Sequence, residues 1–310
     1  MLYYTLFLTK CKAKILNYLS CISLVLYMES VYNITAMDGE GGPGLDARPI
    51  GVFDSGFGGL TAVRALRALL PEEDIVFFAD AGHAPYGGRP TEELRRFSVN
   101  NLNFLSGHGV KAILAACGTV SSVAPDLLEA SHIPAIGVLK ATAAALQRQP
   151  DTGPVGLIAT EATIRSGRFA AALAATREVI PVACPLFAPL VEQGHTDRHD
   201  PELLAAVDAY LRPLRERGIR TLALGCTHYG LIEAALRDYL GEDVAILEAS
   251  RCAAEQLCER LDRKEPSGKR GTLRCYTTGD PTVFAHYAPL FLGEALQQPV
   301  TSVPLTEREN

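Results

Sequence analysis

Between positions 50 and 59 the chain reads Ile50-Gly51-Val52-Phe53-Asp54-Ser55-Gly56-Phe57-Gly58-Gly59. The short apolar run at its start predicts a buried strand, and the polar, glycine-rich residues after it predict a turn. Apolar residues then recur at helical spacing from Leu60 to Leu70, and Pro71 ends that pattern. The stretch therefore predicts a strand–turn–helix unit, which is the building block of a parallel α/β sheet.

The same alternation of apolar runs and helical patterns continues along the chain. Helices are predicted from Thr91, as an N-cap, to Ser106, from Gly167 to Thr176 and from Pro201 to Arg215. Strands that alternate with helices in this way predict an α/β fold with doubly wound parallel sheets. The further predicted strands are Ile75–Phe78, Ala112–Ala115, Ile133–Val138, Val155–Ile158, Ile180–Ala183, Thr221–Leu224 and Val244–Leu247.

Composition narrows the class of protein. The chain has 310 residues, of which 48% are hydrophobic and 21% charged, values that are typical of a globular protein. Its net charge of −6 and the lack of a dense Lys/Arg run argue against a nucleic-acid partner. The eight cysteines are scattered and include no C-x-x-C pair, so neither a disulfide scaffold nor a structural zinc site is predicted. We expect reduced thiols in a cytoplasmic protein, with no bound metal.

Residues 1–48 differ from the rest of the chain and are interpreted as an N-terminal extension outside the fold. An apolar stretch from Ile15 to Met28 is too short to span a bilayer. Met37 precedes a glycine-rich linker at 39–44. We therefore expect a translated upstream region and a working protein that starts near Met37, with membrane anchoring as the alternative.

Two polar clusters follow the first two predicted strands, where ligands of open α/β sheets bind. In the turn at 54–59, the glycines begin a G-x-G-x-x-G pattern but Thr61 takes its last position, so the dinucleotide-binding pattern is incomplete. Asp80 lies where a ribose-binding acid would be expected. The loop from Asp80 to Arg89 is rich in Gly and Pro, and we expect its amides, Tyr86 and Arg89 to be able to bind a carboxylate.

Two further clusters each contain a cysteine. Cys117 follows the strand at 112–115, and a helix is predicted to start at Ser121 and Ser122, so we expect the thiol to lie at a helix N-terminus with a lowered pKa. Cys226 follows the strand at 221–224 and is succeeded by Thr227 and His228, which can orient the thiol or act as an acid or base. The alternative at the first cluster is an inert buried cysteine, and the alternative at the second is a core histidine at His228.

Two thiols from opposite halves of a chain allow three kinds of chemistry. A redox disulfide normally uses close spacing such as C-x-x-C, and the sequence has no such pair. A zinc site needs two more ligands at suitable spacing, and the sequence does not offer them. The third arrangement places the two thiols on opposite faces of one carbon atom. One thiolate would then remove a proton and the other thiol would deliver one, which inverts a stereocentre.

Several segments together resemble the glutamate racemases of the aspartate/glutamate racemase family, in order and spacing, from about Pro49 to Gly293. The resemblance implies two similar flavodoxin-like domains, 49–140 plus 251–310 and 141–250, with the active site in the cleft between them. The segments are Ile50–Thr61, Pro85-Tyr86-Gly87, Cys117-x-Thr119, Thr160–Ile164, Ala183–Phe187 with Glu192, Gly225–Tyr229 and Thr278–Pro281.

The resemblance also implies an isomerase that inverts glutamate without pyridoxal phosphate, metal or any other cofactor. Cys117 would take the proton from the D-isomer and Cys226 from the L-isomer, assisted by Asp54 and His228 respectively. The product D-glutamate would serve peptidoglycan synthesis, cell wall biogenesis and cell shape, and family members allow a homodimer. The implied substrate-binding residues are Asp54, Ser55, Tyr86, Gly87, Gly118, Thr119, Thr163, Thr227 and His228.

The chain departs from the family pattern at three places. Gly118 stands where the family has an Asn that binds substrate, Lys140-Ala141-Thr142 replaces Glu-Pro-Gly where the domains meet, and Gly230 replaces a Pro. Gly118 keeps two alternatives open: a racemase of aspartate or another amino acid, and a binding or regulatory relative without turnover. A pyridoxal-phosphate racemase is a third, and it would need Lys140 as its Schiff-base lysine.

Overall fold

The structure is a computed structural model that describes residues 46–175, 177–261 and 268–305. The apolar stretch at 15–28 and the start near Met37 lie outside the described residues, so both hypotheses about the N-terminal extension stay predictions. No helix in the described part of the chain is long and apolar enough to cross a membrane.

Two parallel sheets organise the described residues. The first has six strands in the order β10-β9-β2-β1-β3-β4, and the second has four in the order β6-β5-β7-β8. All adjacent strands pair in parallel, which agrees with the predicted α/β class. The strands are β1 Ile50–Asp54, β2 Ile75–Ala79, β3 Ala112–Ala115, β4 Ala135–Gly137, β5 Val155–Ala159, β6 Val179–Ala183, β7 Thr221–Leu224, β8 Ala245–Glu248, β9 Leu273–Thr277 and β10 Thr301–Ser302.

Helices connect the strands and cover the sheets. Two aspartates cap helices that follow them: Asp200 accepts hydrogen bonds from two amides at the start of the helix Pro201–Glu216, and Asp280 accepts one from the Thr282 amide at the start of the helix Pro281–Leu292. The helices are α1 Leu60–Leu69, α2 Thr91–Gly107, α3 Gly118–Val123, α4 Pro125–Glu129, α5 Val138–Gln147, α6 Glu161–Ser166, α7 Arg168–Ala174, α8 Phe187–Glu192, α9 Pro201–Glu216, α10 Glu233–Leu240, α11 Ala249–Arg260 and α12 Pro281–Leu292.

The central strands of the first sheet are buried on both faces, which explains why they read as continuous apolar runs. Successive residues of β1 pack on opposite faces of the sheet. Val52 lies in a core that also contains residues of the second sheet, whereas Phe53 packs against α2. Phe77 and Phe78 of β2 divide in the same way. The helix α1 therefore covers the face that is turned towards the second half of the molecule.

The two sheets are joined through α11, which packs against both α1 and α5. Near its start, the hydroxyl groups of Ser250 and Thr61 are hydrogen-bonded at 2.8 Å in a buried environment. The carboxylate of Glu248 caps α11 by accepting hydrogen bonds from the amides of Ser250 and Arg251 at 2.9 and 2.7 Å. The predicted domain boundaries at 140–141 and 250–251 fall inside α5 and α11, and they stay predictions.

Several local predictions are wrong. Thr91 is the first residue of α2 and not its N-cap, which is Pro90. The helix after Cys117 starts at Gly118 and not at Ser121, and Val138 begins α5 although its apolar character suggested a strand. The strands β9 and β10 were not predicted; they add an edge to the first sheet.

Candidate active site

A cavity of about 470 Å³ lies where loops that follow strands of both sheets meet. The thiols of Cys117, after β3, and Cys226, after β7, both line it. The structure therefore brings together side chains from the two halves of the chain. The other sequence-predicted site residues that line this cavity are Asp54, Ser55, Tyr86, Gly87, Gly118, Thr119, Thr163, Thr227 and His228.

The surroundings of Cys117 are buried and acidic. Its thiol donates a hydrogen bond of 3.6 Å to the Ser55 hydroxyl, and only 4% of the residue is exposed. Asp54 is held beside it because its two carboxylate oxygens accept hydrogen bonds from the amides of Ser55 (2.8 Å) and Gly59 (2.7 Å). Burial, and secondly the charge of Asp54, raises the pKa of Cys117 to about 12. The prediction that the helix N-terminus lowers the pKa of Cys117 is wrong. Burial raises this pKa by more than the amides of the helix lower it.

The surroundings of Cys226 differ in charge. Its sulfur lies 3.8 Å from Nδ1 of His228, whose Nε2 lies 2.9 Å from a carboxylate oxygen of Glu192. Burial lowers the pKa of His228, but hydrogen bonds to Cys226 and Glu192, together with their charges, raise it to about 10. The imidazole is therefore a cation at neutral pH, held between a sulfur atom and a carboxylate.

Glu192 is the residue at this site for which the sequence suggested no role. It lies at the end of α8, far from His228 in the chain, and only the resembling segment around Cys184 drew attention to it. Cys184 itself is fully buried below this region and its carbonyl accepts a hydrogen bond from the Tyr229 hydroxyl at 2.8 Å. Burial is the main cause that raises the pKa of the Cys184 thiol.

The loops of the two halves approach each other closely, and glycines make this approach possible. A Cβ atom added at Gly58 would overlap the Thr227 hydroxyl and lie 3.1 Å from Nδ1 of His228. A Cβ atom at Gly118 would meet only the carbonyl oxygen of Gly225, at 3.6 Å. Position 58 therefore has no room for a side chain, whereas position 118 is open towards the cavity.

The loop from Asp80 to Arg89 is fixed by a buried network around Asp80. The carboxylate accepts hydrogen bonds from the hydroxyls of Tyr86 (2.5 Å) and Thr278 (2.8 Å), and it lies 2.9 Å from Nδ1 of His83. Asp80 is thus engaged within the loop and does not line the cavity, so the ribose-binding interpretation finds no support. Tyr86 lines the cavity, but its hydroxyl is directed to Asp80.

Arg89 and Lys140 also lie outside this cavity. Arg89 donates a hydrogen bond of 2.7 Å to Glu93 and does not line this cavity, so the expectation that it binds a carboxylate stays a prediction. Lys140 is exposed and pairs with Glu129, and no lysine among the described residues lines the cavity that holds the two thiols. No disulfide joins the described cysteines, and within the described ranges no group of three or more His, Cys, Asp or Glu side chains is placed to hold a metal ion.

Comparison with known proteins gives consistent results. The family model described as Asp/Glu/Hydantoin racemase matches residues 61–257. A glutamate racemase from Thermus thermophilus is 41% identical over 255 residues, which cover 80% of this chain and 94% of that protein. A glutamate racemase from Desulforudis audaxviator is 37% identical over 269 residues, covering 83% of this chain and 97% of the relative.

Solved structures show the same likeness in three dimensions. A crystal structure of glutamate racemase from Thermus thermophilus in complex with β-chloro-D-alanine is 39% identical with a TM-score of 0.72, covering 84% of this chain and 98% of that one. The glutamate racemase from Francisella tularensis in complex with D-glutamate is 34% identical with a TM-score of 0.73, covering 84% and 99%. The protein is thus an amino-acid racemase, and the chain belongs to the Asp/Glu/hydantoin racemase family.

Proposed function

We propose that this protein interconverts L- and D-glutamate without a cofactor, by proton transfer between the substrate α-carbon and the thiols of Cys117 and Cys226. One observation carries the proposal: two thiols from different sheets line one cavity and have opposite electrostatic surroundings. Cys117 is buried beside the carboxylate of Asp54, and Cys226 lies beside the cationic imidazole of His228.

The reaction needs one charged and one neutral sulfur. A thiolate at Cys226 takes the α-proton of L-glutamate, and the electron pair of the broken C–H bond stays on the substrate. The neutral thiol of Cys117 then donates its proton to the opposite face, which leaves a thiolate at Cys117 and a thiol at Cys226. D-glutamate reacts by the reverse sequence. The raised pKa of Cys117, about 12, favours the neutral thiol in the free protein. This is the form that donates a proton in the L-to-D direction.

Neighbouring groups assist the two thiols in this proposal. His228 places a positive charge 3.8 Å from the sulfur of Cys226, where it stabilises the thiolate. Glu192 keeps that imidazole charged and oriented through the 2.9 Å contact with Nε2. Two backbone amides hold the Asp54 carboxylate in place, and its negative charge raises the pKa of Cys117 and so favours the neutral thiol. In this proposal Asp54 and His228 serve the thiols to which the family resemblance assigns them.

The remaining lining groups suit a small anionic amino acid. We assign substrate binding to hydroxyl groups and backbone amides, which stabilise carboxylates and the developing charge of the transition state. The D-glutamate complex of the related Francisella tularensis enzyme supports glutamate as the substrate. The hydroxyls belong to Ser55, Thr119, Thr163 and Thr227, and the amides to Gly87 and Gly118.

Deuterium exchange tests the reaction and the mechanism together. The protein is incubated with each glutamate enantiomer in deuterated water without cofactor, and α-deuterium incorporation and optical rotation are followed. We expect racemisation with exchange, and its loss in both Cys117→Ala and Cys226→Ala. Cys252→Ala is the matched control, because this buried thiol lies outside the cavity. No exchange from either enantiomer, or full activity in both thiol variants, would refute the proposal.

Aspartate is the second candidate substrate, because Gly118 lacks the Asn side chain with which the family binds its substrate, so position 118 does not itself select for glutamate. The same exchange assay with aspartate, and with a panel of other amino acids, decides between the two. We expect a higher kcat/KM for glutamate. Binding of glutamate without exchange would instead favour the non-catalytic relative that Gly118 also allows.

We further propose that the D-glutamate serves peptidoglycan synthesis in the cytoplasm and that the protein acts as a homodimer. Expression in a bacterium that depends on added D-glutamate should restore growth without it, and the Cys226→Ala variant should not. Sedimentation of the purified chain should give about twice the mass of 33.3 kDa. A monomer at all concentrations would refute the dimer without affecting the proposed reaction.

A further inference from the structure

A second cavity, of about 270 Å³, adjoins the cavity that holds the thiols. We call it the side cavity. It shares four lining residues with the thiol cavity: Gly87, Thr119, Ala162 and Thr163. A small molecule in the side cavity is therefore next to the groups that line the proposed active site.

The side cavity carries a net positive charge. Arg89 lines one wall, where Glu93 neutralises it at 2.7 Å. Arg168 also lines the side cavity, and its guanidinium donates a hydrogen bond of 2.8 Å to the carbonyl oxygen of Ser122. In the part of the chain that the structure describes, no carboxylate lies within ion-pair distance of Arg168. A carbonyl oxygen binds the cation but does not cancel its charge, so Arg168 keeps a positive field over this opening.

The thiol cavity has a charged pair on its other side. Glu192, whose side chain is 44% exposed, lies 2.9 Å from the cationic imidazole of His228, and both line the thiol cavity but not the side cavity. The two charges of this pair cancel, so an anion that approaches along that side meets no net positive charge, whereas one that approaches through the side cavity meets the charge of Arg168. The side cavity is therefore the electrostatically favoured path for an anion.

The contact of Arg168 is also one that can open. Its hydrogen bond joins the start of α7 to the end of α3, which belong to the two different halves of the molecule. The side chain is exposed, and the preceding residue, Gly167, has a φ of 65°, a conformation in which glycine turns the chain without strain. Transfer of the guanidinium from the Ser122 carbonyl to a carboxylate replaces a neutral partner with a charged one.

We propose that anionic amino acids reach the two thiols through the side cavity and that Arg168 captures their carboxylate on the way. Arg168 is a positioning residue, since it does not touch the reacting sulfur atoms. The identity of the captured anion as glutamate rests on the proposed function, but the path and its charge preference do not.

Two alkylating reagents that differ in charge test the path. Iodoacetate is an anion and iodoacetamide is neutral; with either reagent the cysteine sulfur forms a bond to carbon, the carbon–iodine bond breaks and iodide leaves. The rate of modification of Cys226 is followed by mass spectrometry for both reagents. The ratio of the two rate constants cancels changes in the reactivity of the thiol itself and reports the charge preference of the path.

We expect Arg168→Gln to lower the iodoacetate-to-iodoacetamide ratio by about threefold to tenfold at low salt, because a positive charge with no carboxylate within ion-pair distance is lost. Raising the salt to about 0.5 M should remove most of the difference. Arg168→Lys should keep the ratio. The matched control is Arg217→Gln, which removes the same charge from an exposed position before the amino end of β7, away from the cavity.

An unchanged ratio in Arg168→Gln, or an equal fall in Arg217→Gln, would overturn the proposal. In the exchange assay, Arg168→Gln should lower kcat/KM for glutamate by a similar factor and leave kcat within about twofold. A protein that shows the charge-dependent ratio but no glutamate exchange would keep the path and refute the proposed function.

Discussion

Replacing Glu192 by glutamine removes the negative charge that faces His228 while keeping a side chain of the same size. In the structure the Glu192 carboxylate lies 2.9 Å from Nε2 of the imidazole, and this contact is one of the main causes that raise the pKa of His228 to about 10. Without the charge, the protonated imidazole loses stabilisation, so its pKa should fall.

The size of the fall follows from the contact. A hydrogen bond to a charged partner contributes about 1.5–3 kcal/mol, and about 1.4 kcal/mol corresponds to a change of one in pKa. Glu192 is 44% exposed, so water screens part of the interaction and the lower value applies. We therefore expect Glu192→Gln to lower the pKa of His228 by about 1.

The measurement is an NMR titration of the histidine ring protons. The chain has seven histidines, and the signal of His228 is identified by its loss in His228→Asn. His195 serves as an internal reference, because Asp200 raises its pKa and the substitution leaves that pair unchanged. A pKa of His228 that is the same in the variant and the unsubstituted protein would refute the reasoning.

The same pair predicts how stability depends on pH. The pKa of His228 is raised from an ordinary value of 6.5 to about 10 on folding, so its protonated form stabilises the fold. This contribution is complete below about pH 6.5 and is lost as the pH rises towards about 10. Between those limits the free energy of unfolding of the unsubstituted protein should fall more steeply than that of His228→Asn, with Glu192→Gln in between. Equal slopes in urea titrations would contradict this.

Two predictions concern packing and burial. Gly58→Ala should destabilise the protein by about 1–3 kcal/mol and reduce turnover, because its Cβ overlaps the Thr227 hydroxyl. Gly56→Ala is the matched control for stability, because its Cβ meets nothing within 4 Å, and equal losses of the two variants in thermal unfolding would contradict the prediction. Glu73→Gln should lower the free energy of unfolding by about 3–5 kcal/mol, because the buried Lys111 ammonium loses the carboxylate that now lies 2.7 Å away. Urea unfolding measures this loss, and a variant as stable as the unsubstituted protein would contradict the prediction.

The sequence predicted the central strands well because their chemistry is simple. β1, β2 and β3 are buried on both faces and therefore read as continuous apolar runs. β9 was missed because Arg274 and Tyr276 are partly exposed and interrupt the apolar pattern. β10 has only two residues, both exposed, and periodicity is not visible over that length.

The sequence predicted which residues line the cavity, but it did not predict the charges and pKa shifts around the two thiols. Cys117 and Cys226 each follow a predicted strand, and the rule for parallel sheets indicates that such positions meet a ligand. The charge around them depends on contacts that are remote in sequence. Glu192 reaches His228 only because α8 folds back towards β7, and the high pKa of Cys117 comes from burial that no local pattern reveals.

The core between the sheets has a consequence for how the protein can be divided. Val52 and Phe77 of the first sheet belong to the same buried cluster as Leu157 and Leu222 of the second. Cutting the chain into its halves would expose both apolar faces to water, so neither half should remain monomeric and folded by itself. The relative position of the two thiols therefore depends on the folding of the whole molecule. We expect the pair to be assembled on folding, and lost on unfolding, in one cooperative step.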